Sequence, residues 1–471
     1  MIANRGKNKM KWIAVAGMLV ALQLAAFLSL ADSRDWLNLH DAIPMAARMV
    51  FHSFLCLHAF RKKSLTTWIL VSMILGAEIG FDFPIWSQNL KVVSKIFINL
   101  IKTIIAPLLF ATLVLGIAGH GNLKKVGSMG WKSLLYFEIV TTIALFIGLA
   151  AINLTGAGEG IDLSHATEFR EKAPDAAPRS WQETILHVFP ENIAKSVAEG
   201  QVLQIVIFSL LFGIGLAMVR EHHRKHMISF TESLAEVMFK FTQIVMFFAP
   251  IAIGCALAVT VGHMGLEILK NLGMLVGTLY MALLAFILIV LLPVALIFKV
   301  PILKFIKAIA EPVSIAFTTT SSEAALPKAM KSMESFGVPR KIVAFVLPTG
   351  YSFNLDGTTL YLALASIFVA QAAGIEFTFA EQLVIVLTLM LTSKGVAGVP
   401  RASLVILMGT AAQFGLPLEP IYLIIGVDEL MDMARTSVNV MGNCLASVVV
   451  AKWEGEFPAA PDELPGEIQS Y

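Results

Sequence analysis

Apolar residues run along this chain in long blocks separated by short polar connections, the pattern of a polypeptide whose solvent is hydrocarbon rather than water. After a basic start with Arg5, Lys7, Lys9 and Lys11, an apolar run covers about residues 12 to 31. It reads either as a first spanning helix or as a signal sequence with a small-residue cut near Ala31. A weaker block from about 43 to 60 holds Arg48, His52 and His58 and leads into Arg61, Lys62 and Lys63. We read it as spanning, because that returns the three bases to the cytoplasm. Further blocks fall at about 65 to 83, 91 to 118, 131 to 154, 186 to 219, 234 to 260 and 266 to 298. Several exceed the roughly 20 residues needed to cross a bilayer and are expected to tilt. The connections at 120–125 and 220–225 are basic, whereas the long one from 157 to about 182 carries Asp162, Glu168, Glu171 and Asp175. A cytoplasmic start puts the basic connections inside and the acidic one outside, as the positive-inside rule requires.

Beyond Lys299 the blocks become interrupted. Thr318, Thr319, Thr320, Ser321, Ser322 and Glu323 precede Pro327 in the segment 301–340. Hydroxyl side chains compete for backbone hydrogen bonds and proline breaks the ladder, so a helical hairpin with a polar tip is predicted. Lys304, Lys307, Lys328, Lys331, Arg340 and Lys341 flank it, which places both its ends in the cytoplasm. A helix over about 342 to 373 follows, interrupted by the polar stretch from Tyr351 to Thr359. A second hairpin over about 379 to 416 has Lys394, Gly395, Gly398, Val399 and Pro400 at its middle. Hairpin, broken helix, hairpin and a final polar-striped helix make a two-fold repeat of opposite entry, an arrangement that builds transporter sites near the midplane.

In the final segment Asp428, Asp432, Arg435, Thr436, Asn439 and Asn443 fall on one stripe about 100° wide when the chain is wound as a helix. A charge at the centre of a membrane helix costs roughly 2.5–3.5 kcal/mol, so such a stripe marks function. The competing reading is a polar face satisfied by neighbouring helices, with Arg435 in an internal salt bridge to Asp428 or Asp432.

Composition agrees with an all-α polytopic membrane protein: of 471 residues, 57% are hydrophobic and 14% charged. A formal net charge of +2, with the bases in short clusters between apolar blocks, gives no reason to expect a nucleic acid partner. Cys56, Cys255 and Cys444 lie far apart in apolar sequence and suggest neither a disulfide framework nor a zinc site. No nucleophile–base pair or metal-ligand cluster points to an enzyme, and no cofactor is expected.

The hydroxylic tip, Asn354-Leu355-Asp356-Gly357-Thr358, Gly398-Val399-Pro400 and Asp432-Met433-Ala434-Arg435-Thr436 with Asn439 together resemble the dicarboxylate/amino acid:cation symporters, the family of the glutamate transporters, and within it the proton-coupled bacterial glutamate/aspartate symporters. The resemblance implies the glutamate-transporter fold, with two re-entrant hairpins and inverted repeats, over residues 65–455. Residues 1–64 would be an extension with one or two extra membrane segments, and 456–471 a cytoplasmic tail. It also implies a homotrimer in the lipid bilayer of the cytoplasmic membrane. A scaffold (about 65–118 and 186–260) would hold a mobile transport domain (about 131–154 and 266–455) that works as an elevator. Carried over residue by residue, Arg435 would take the side-chain carboxylate of an acidic amino acid, Asp432 its amine and Asn439 its α-carboxylate, with Thr436, Thr358, Ser322 and the backbone at Val399 completing the pocket. Asp432 favours glutamate and aspartate over a C4-dicarboxylate, which has no amine to pair. An anion channel or membrane sensor is the reading from another class.

The coupling ion is expected to be H+, with Na+ possible. The resemblance puts an aspartate at the place of Asn443, and hydroxyl side chains where this chain has Phe137 and Val140 beside Thr141. That depletes the sodium ligands, though Asp356 and Asn354 keep a possible weak sodium site. Three intramembrane ionisable groups, Glu323, Glu138 and Lys394, stand out. A carboxyl in a dry site holds a proton toward neutral pH, so Glu323 first and Glu138 second are the candidate carriers. The competing reading for these groups is an interface-snorkelling or internally paired side chain.

Overall fold

The computed structural model describes residues 22–24, 26–28, 42–118, 123–161, 186, 189–199, 201–393 and 402–457. Among these every regular element is helical. Among the described residues six helices are long and apolar enough to cross a membrane, or seven if a pair bent by 50° counts as one span. The expected spans reappear as Leu65–Asp82, Lys91–Ala118, Leu123–Thr155, Val202–Met218, Glu221–Phe247 with Ala249–Met264, and Ile268–Phe286 extended to Ile297. Three differ from the sequence reading. The block at 186–219 forms a long apolar helix only over Val202–Met218, too short to be among the spanning candidates, after a separate short helix, Ile193–Ala198. The block at 234–260 is bent at Phe248, where Pro250 occupies the first turn of the following helix. The block at 266–298 contains a π-helical turn, Ile287–Leu291. The ring of Pro293, which lacks a backbone donor, begins the next helix and accounts for the widening.

The extension contributes one described helix, Ala42–Lys62, which turns at Lys63 (φ 51°) and returns as Leu65–Asp82. Arg48 ties the two together, its Nη2 donating to Asp82 Oδ1 at 2.7 Å and its Nε to Glu78. Apart from residues 22–24 and 26–28, the apolar run at 12–31 lies outside the described residues, as do most of the acidic connection and the tail beyond 457.

Packing falls into two groups. Leu65–Asp82 lies along Ala249–Met264, and Lys91–Ala118 packs on Val202–Met218 and Glu221–Phe247. In the other group Leu123–Thr155 lies along Asp356–Ala372, and the last helix, Asp428–Trp453, is surrounded by Ile302–Thr319, Arg340–Phe353 and Asp356–Ala372. The last helix is not among the membrane-crossing candidates, because its polar stripe lowers its hydropathy. From Asp428 to Ala451 nearly all its residues are buried, so protein rather than lipid surrounds the stripe.

The first hairpin breaks where the hydroxyl run predicts. Ile302–Thr319 ends at Thr320, in the left-handed region (φ 50°), and the Ser321 side chain then caps Ser322–Ser335 by accepting from the Ala324 amide. Pro327 lies inside the second of these helices instead of ending the first. The broken helix divides into Arg340–Phe353 and Asp356–Ala372, with Asn354 and Leu355 between them. The second hairpin keeps both arms, Phe379–Thr392 and Ala402–Gln413, while its tip lies outside the described residues.

Candidate functional site

The stripe on the last helix folds into two linked polar clusters. In the first, Arg435 is 1% exposed. Its Nη1 donates to Asp428 Oδ1 at 2.9 Å and its Nε to Asp432 Oδ1 at 3.0 Å. Helical spacing makes this arrangement, since residues three and seven apart share one face. The guanidinium carbon also lies 4.1 Å from the centre of the Tyr361 ring, which accepts the cation on its face. Thr436 Oγ1 donates to Asp432 Oδ1 at 2.7 Å. The internal salt bridges anticipated for Arg435 are therefore both present. They hold a planar, fork-shaped donor of fixed orientation, suited to a carboxylate.

In the second cluster the last helix caps a neighbour. Leu355 precedes Asp356–Ala372 without a side-chain cap. Asn439 supplies the cap from across the interface: its Oδ1 accepts from the backbone amides of Gly357 (2.8 Å) and Thr358 (3.2 Å), and its Nδ2 donates to Thr358 Oγ1 at 2.9 Å. One turn on, Asn443 Nδ2 donates to the carbonyls of Asn354 (3.0 Å) and Asn439 (2.9 Å). Asn354 Nδ2 reaches Asp356 Oδ2 at 3.3 Å and Asn443 Oδ1 at 3.4 Å. Two glycines make room for these groups: a Cβ on Gly442 would lie 1.8 Å from Asp356 Oδ2, and one on Gly350 1.9 Å from Asn443 Oδ1. Phe137 reaches this cluster, 3.4 Å from where a Cβ on Gly350 would lie; Val140 is buried on the same helix, and the Thr141 hydroxyl donates to the Phe137 carbonyl at 2.7 Å.

The structure thus brings together Arg435, Asp432 and Thr436, then Asn439 and Thr358, then Asn354, Asp356 and Asn443. Ser322 is buried and Glu323 half-buried at the start of Ser322–Ser335, a helix packed against the last one. Glu138 is half-buried on Leu123–Thr155. Lys394 and Val399 lie outside the described residues. Two residues of this region escaped the sequence reading. Tyr361 could have been found, since it lies three residues after Thr358 and so on the same face of its helix. Glu429, 1% exposed, lies just beyond the edge of the stripe drawn from Asp428.

A sequence model of the sodium:dicarboxylate symporter family matches residues 65–453. The chain is 42% identical over 405 residues to a proton/sodium-glutamate symport protein of Geobacillus stearothermophilus, an overlap covering 84% of this chain and 96% of that one. It is 41% identical over 411 residues to the proton/glutamate-aspartate symporter of Escherichia coli K12, covering 84% and 94%. A C4-dicarboxylate transport protein of Bacillus subtilis 168 is 38% identical over 404 residues, covering 84% and 95%.

Proposed function

Because the chain belongs to the sodium:dicarboxylate symporter family, whose members are transporters and not enzymes, we infer that it is a secondary active symporter of the cytoplasmic membrane that imports glutamate and aspartate together with a cation. The observation that carries the substrate class is the buried Arg435 fork held between Asp428 and Asp432 over the Tyr361 ring. A dicarboxylic amino acid brings what this arrangement can exchange partners with: its side-chain carboxylate competes for the guanidinium, and its ammonium compensates the Asp432 carboxylate that the guanidinium releases. Asn439, Thr436, Thr358, Ser322 and the backbone at Val399 complete the pocket. The relatives named as glutamate and glutamate-aspartate symporters support this reading.

The C4-dicarboxylate relative favours a second reading, in which succinate-like dianions are carried. Counterflow with labelled glutamate, aspartate and succinate separates the two, and Asp432→Asn sharpens the result. On the amino acid reading the variant loses glutamate counterflow by at least tenfold; succinate exchange that survives in a variant blind to glutamate supports the second.

The coupling ion in this reading is the proton, carried by Glu323 in the first place and Glu138 in the second, with Lys394 a fixed positive charge near the second hairpin tip. Asp356 and Asn354 keep some capacity for sodium. Two packing groups of helices, one of them holding the binding stripe, support an elevator in which the second hairpin gates the site, and the family resemblance supports a homotrimer. Proteoliposomes decide the coupling. Glutamate accumulation under an inward proton gradient without sodium is expected, and accumulation driven by sodium alone and indifferent to pH would reject it.

A further inference from the structure

Sodium, the ion for which the family is named, would need oxygen ligands, and at the lower end of the stripe this chain presents a hydrogen-bond donor instead. The backbone carbonyls of Asn354, in the break between two helices, and of Asn439, on the last helix, converge on one point. What stands there is the Asn443 Nδ2 amide, 3.0 Å from the first oxygen and 2.9 Å from the second. The orientation is fixed by chemistry: with the amide reversed, its oxygen would face two acceptors at these distances. The Asn443 oxygen meanwhile accepts from Asn354 Nδ2 at 3.4 Å and lies over Gly350, where a Cβ would come within 1.9 Å of it. Asn443 is fully buried, so solvent does not compete for these contacts. A sodium ion among carbonyl oxygens would do the same mechanical work, joining the helix break to the residue that caps Asp356–Ala372. The point between these two carbonyls is therefore taken by the amide and does not fit a bound cation; the weak sodium capacity of the Asp356 and Asn354 side chains lies beside it, not on it.

We propose that the Asn443 amide is a built-in replacement for a coupling cation at this corner, so that the junction between the Asn354 break and the last helix is assembled without sodium. The position then determines cation specificity. An aspartate here would lose both donated bonds and confront two carbonyl oxygens with a carboxylate, an all-oxygen nest that requires a cation. The inference rests on the symporter reading only for its link to transport. The junction itself can be tested without any substrate.

The test is the thermal unfolding of the purified wild type and Asn443→Asp, titrated with sodium chloride against choline chloride, with glutamate affinity measured in parallel. The wild type is expected to unfold at the same temperature in both salts and to bind glutamate within twofold of the same affinity. Asn443→Asp should be destabilised in choline and restored by sodium, with glutamate affinity at least tenfold lower in choline and recovering as sodium rises. If the variant folds only when purified in sodium, that supports the proposal; if it folds in neither salt, or shows no steeper sodium dependence than the wild type, the proposal is overturned. A wild type stable in both salts that binds no acidic amino acid would reject the substrate reading and leave the junction's sodium independence standing.

Discussion

Two helix seams in this molecule are both built around glycine, and they use it for opposite ends. Where Leu65–Asp82 meets Ala249–Met264, a Cβ on Gly76 would lie 2.1 Å from the Gly254 carbonyl oxygen: backbone lies against backbone, as in small-residue membrane packing. Where the last helix meets Arg340–Phe353 and Asp356–Ala372, the space left by Gly442 is filled by the Asp356 carboxylate and that left by Gly350 by the Asn443 amide. The first seam removes side chains to bring two helices together. The second removes them to house polar groups that would otherwise have no room. The obstacle to a methyl group is immovable in one case and a rotatable side chain in the other, so the same substitution should damage different properties.

The largest effects should come from that contrast. Gly442→Ala is expected to reduce glutamate uptake at least 100-fold in proteoliposomes, because Asp356 must swing out of its place, while lowering the unfolding temperature only a little. Gly76→Ala should do the reverse, destabilising the protein by about 1–3 kcal/mol or more through overpacking that no rotamer relieves, with substrate affinity in the folded fraction unchanged. Unfolding curves and binding isotherms on the two variants would break the comparison if both lost stability equally.

Next in size is Asn439→Ala, which leaves the Gly357 and Thr358 amides without their cap. Loss of a helix cap costs about 1–2 kcal/mol, and here it should fall on stability and on substrate affinity together, since Asn439 serves both. An isotherm showing lost affinity with unchanged stability would mean that the cap is dispensable. Tyr361→Leu should weaken glutamate binding about tenfold, in proportion to a desolvated cation–π contact of about 1–2 kcal/mol. An unaltered dissociation constant in isothermal titration would show that the two carboxylates orient Arg435 unaided.

Much of this site was legible because polar residues in an apolar block have few explanations. Asn354 to Thr358 announce a break, Thr318 to Ser322 a hairpin tip, and the 100° spacing places Arg435 with Asp428 and Asp432. What stayed hidden depended on surroundings. A helical wheel assumes that one face meets protein and the other lipid, but Asp428–Trp453 is enclosed on all sides, so Glu429, off the stripe, is as buried as Arg435. Tyr361 is remote in sequence from the arginine it supports. The bend at Phe248 and the π turn at Ile287–Leu291 follow from Pro250 and Pro293, which hydropathy averaging does not register. The resemblance marks Asn443 only as a missing sodium ligand, whereas its donor side faces the two carbonyls; sequence gives the amide but not which end points inward.

The smallest effect tests whether polar contacts at the rim matter as those in the polar seam do. Beyond the end of the last helix, the Glu454 carboxylate accepts from Lys132 and from Ser128, both at 2.8 Å. These bonds, the lysine's first, hold its carboxyl below the ordinary glutamate range. Both partners are partly exposed, so the pair should contribute no more than about 1 kcal/mol. A carboxyl whose folded pKa is depressed stabilises the fold fully above its unfolded value and ceases to do so as pH falls through the folded one. Lys132→Ala should therefore lower the unfolding temperature slightly at neutral pH, and the difference from wild type should vanish as the pH falls below about 4. It should also shrink in high salt, since the charges are open to screening. A loss as large as that of Asn439→Ala, persisting in acid, would make this rim contact a structural part of the binding helix and erase the distinction between the buried polar seam and the exposed rim.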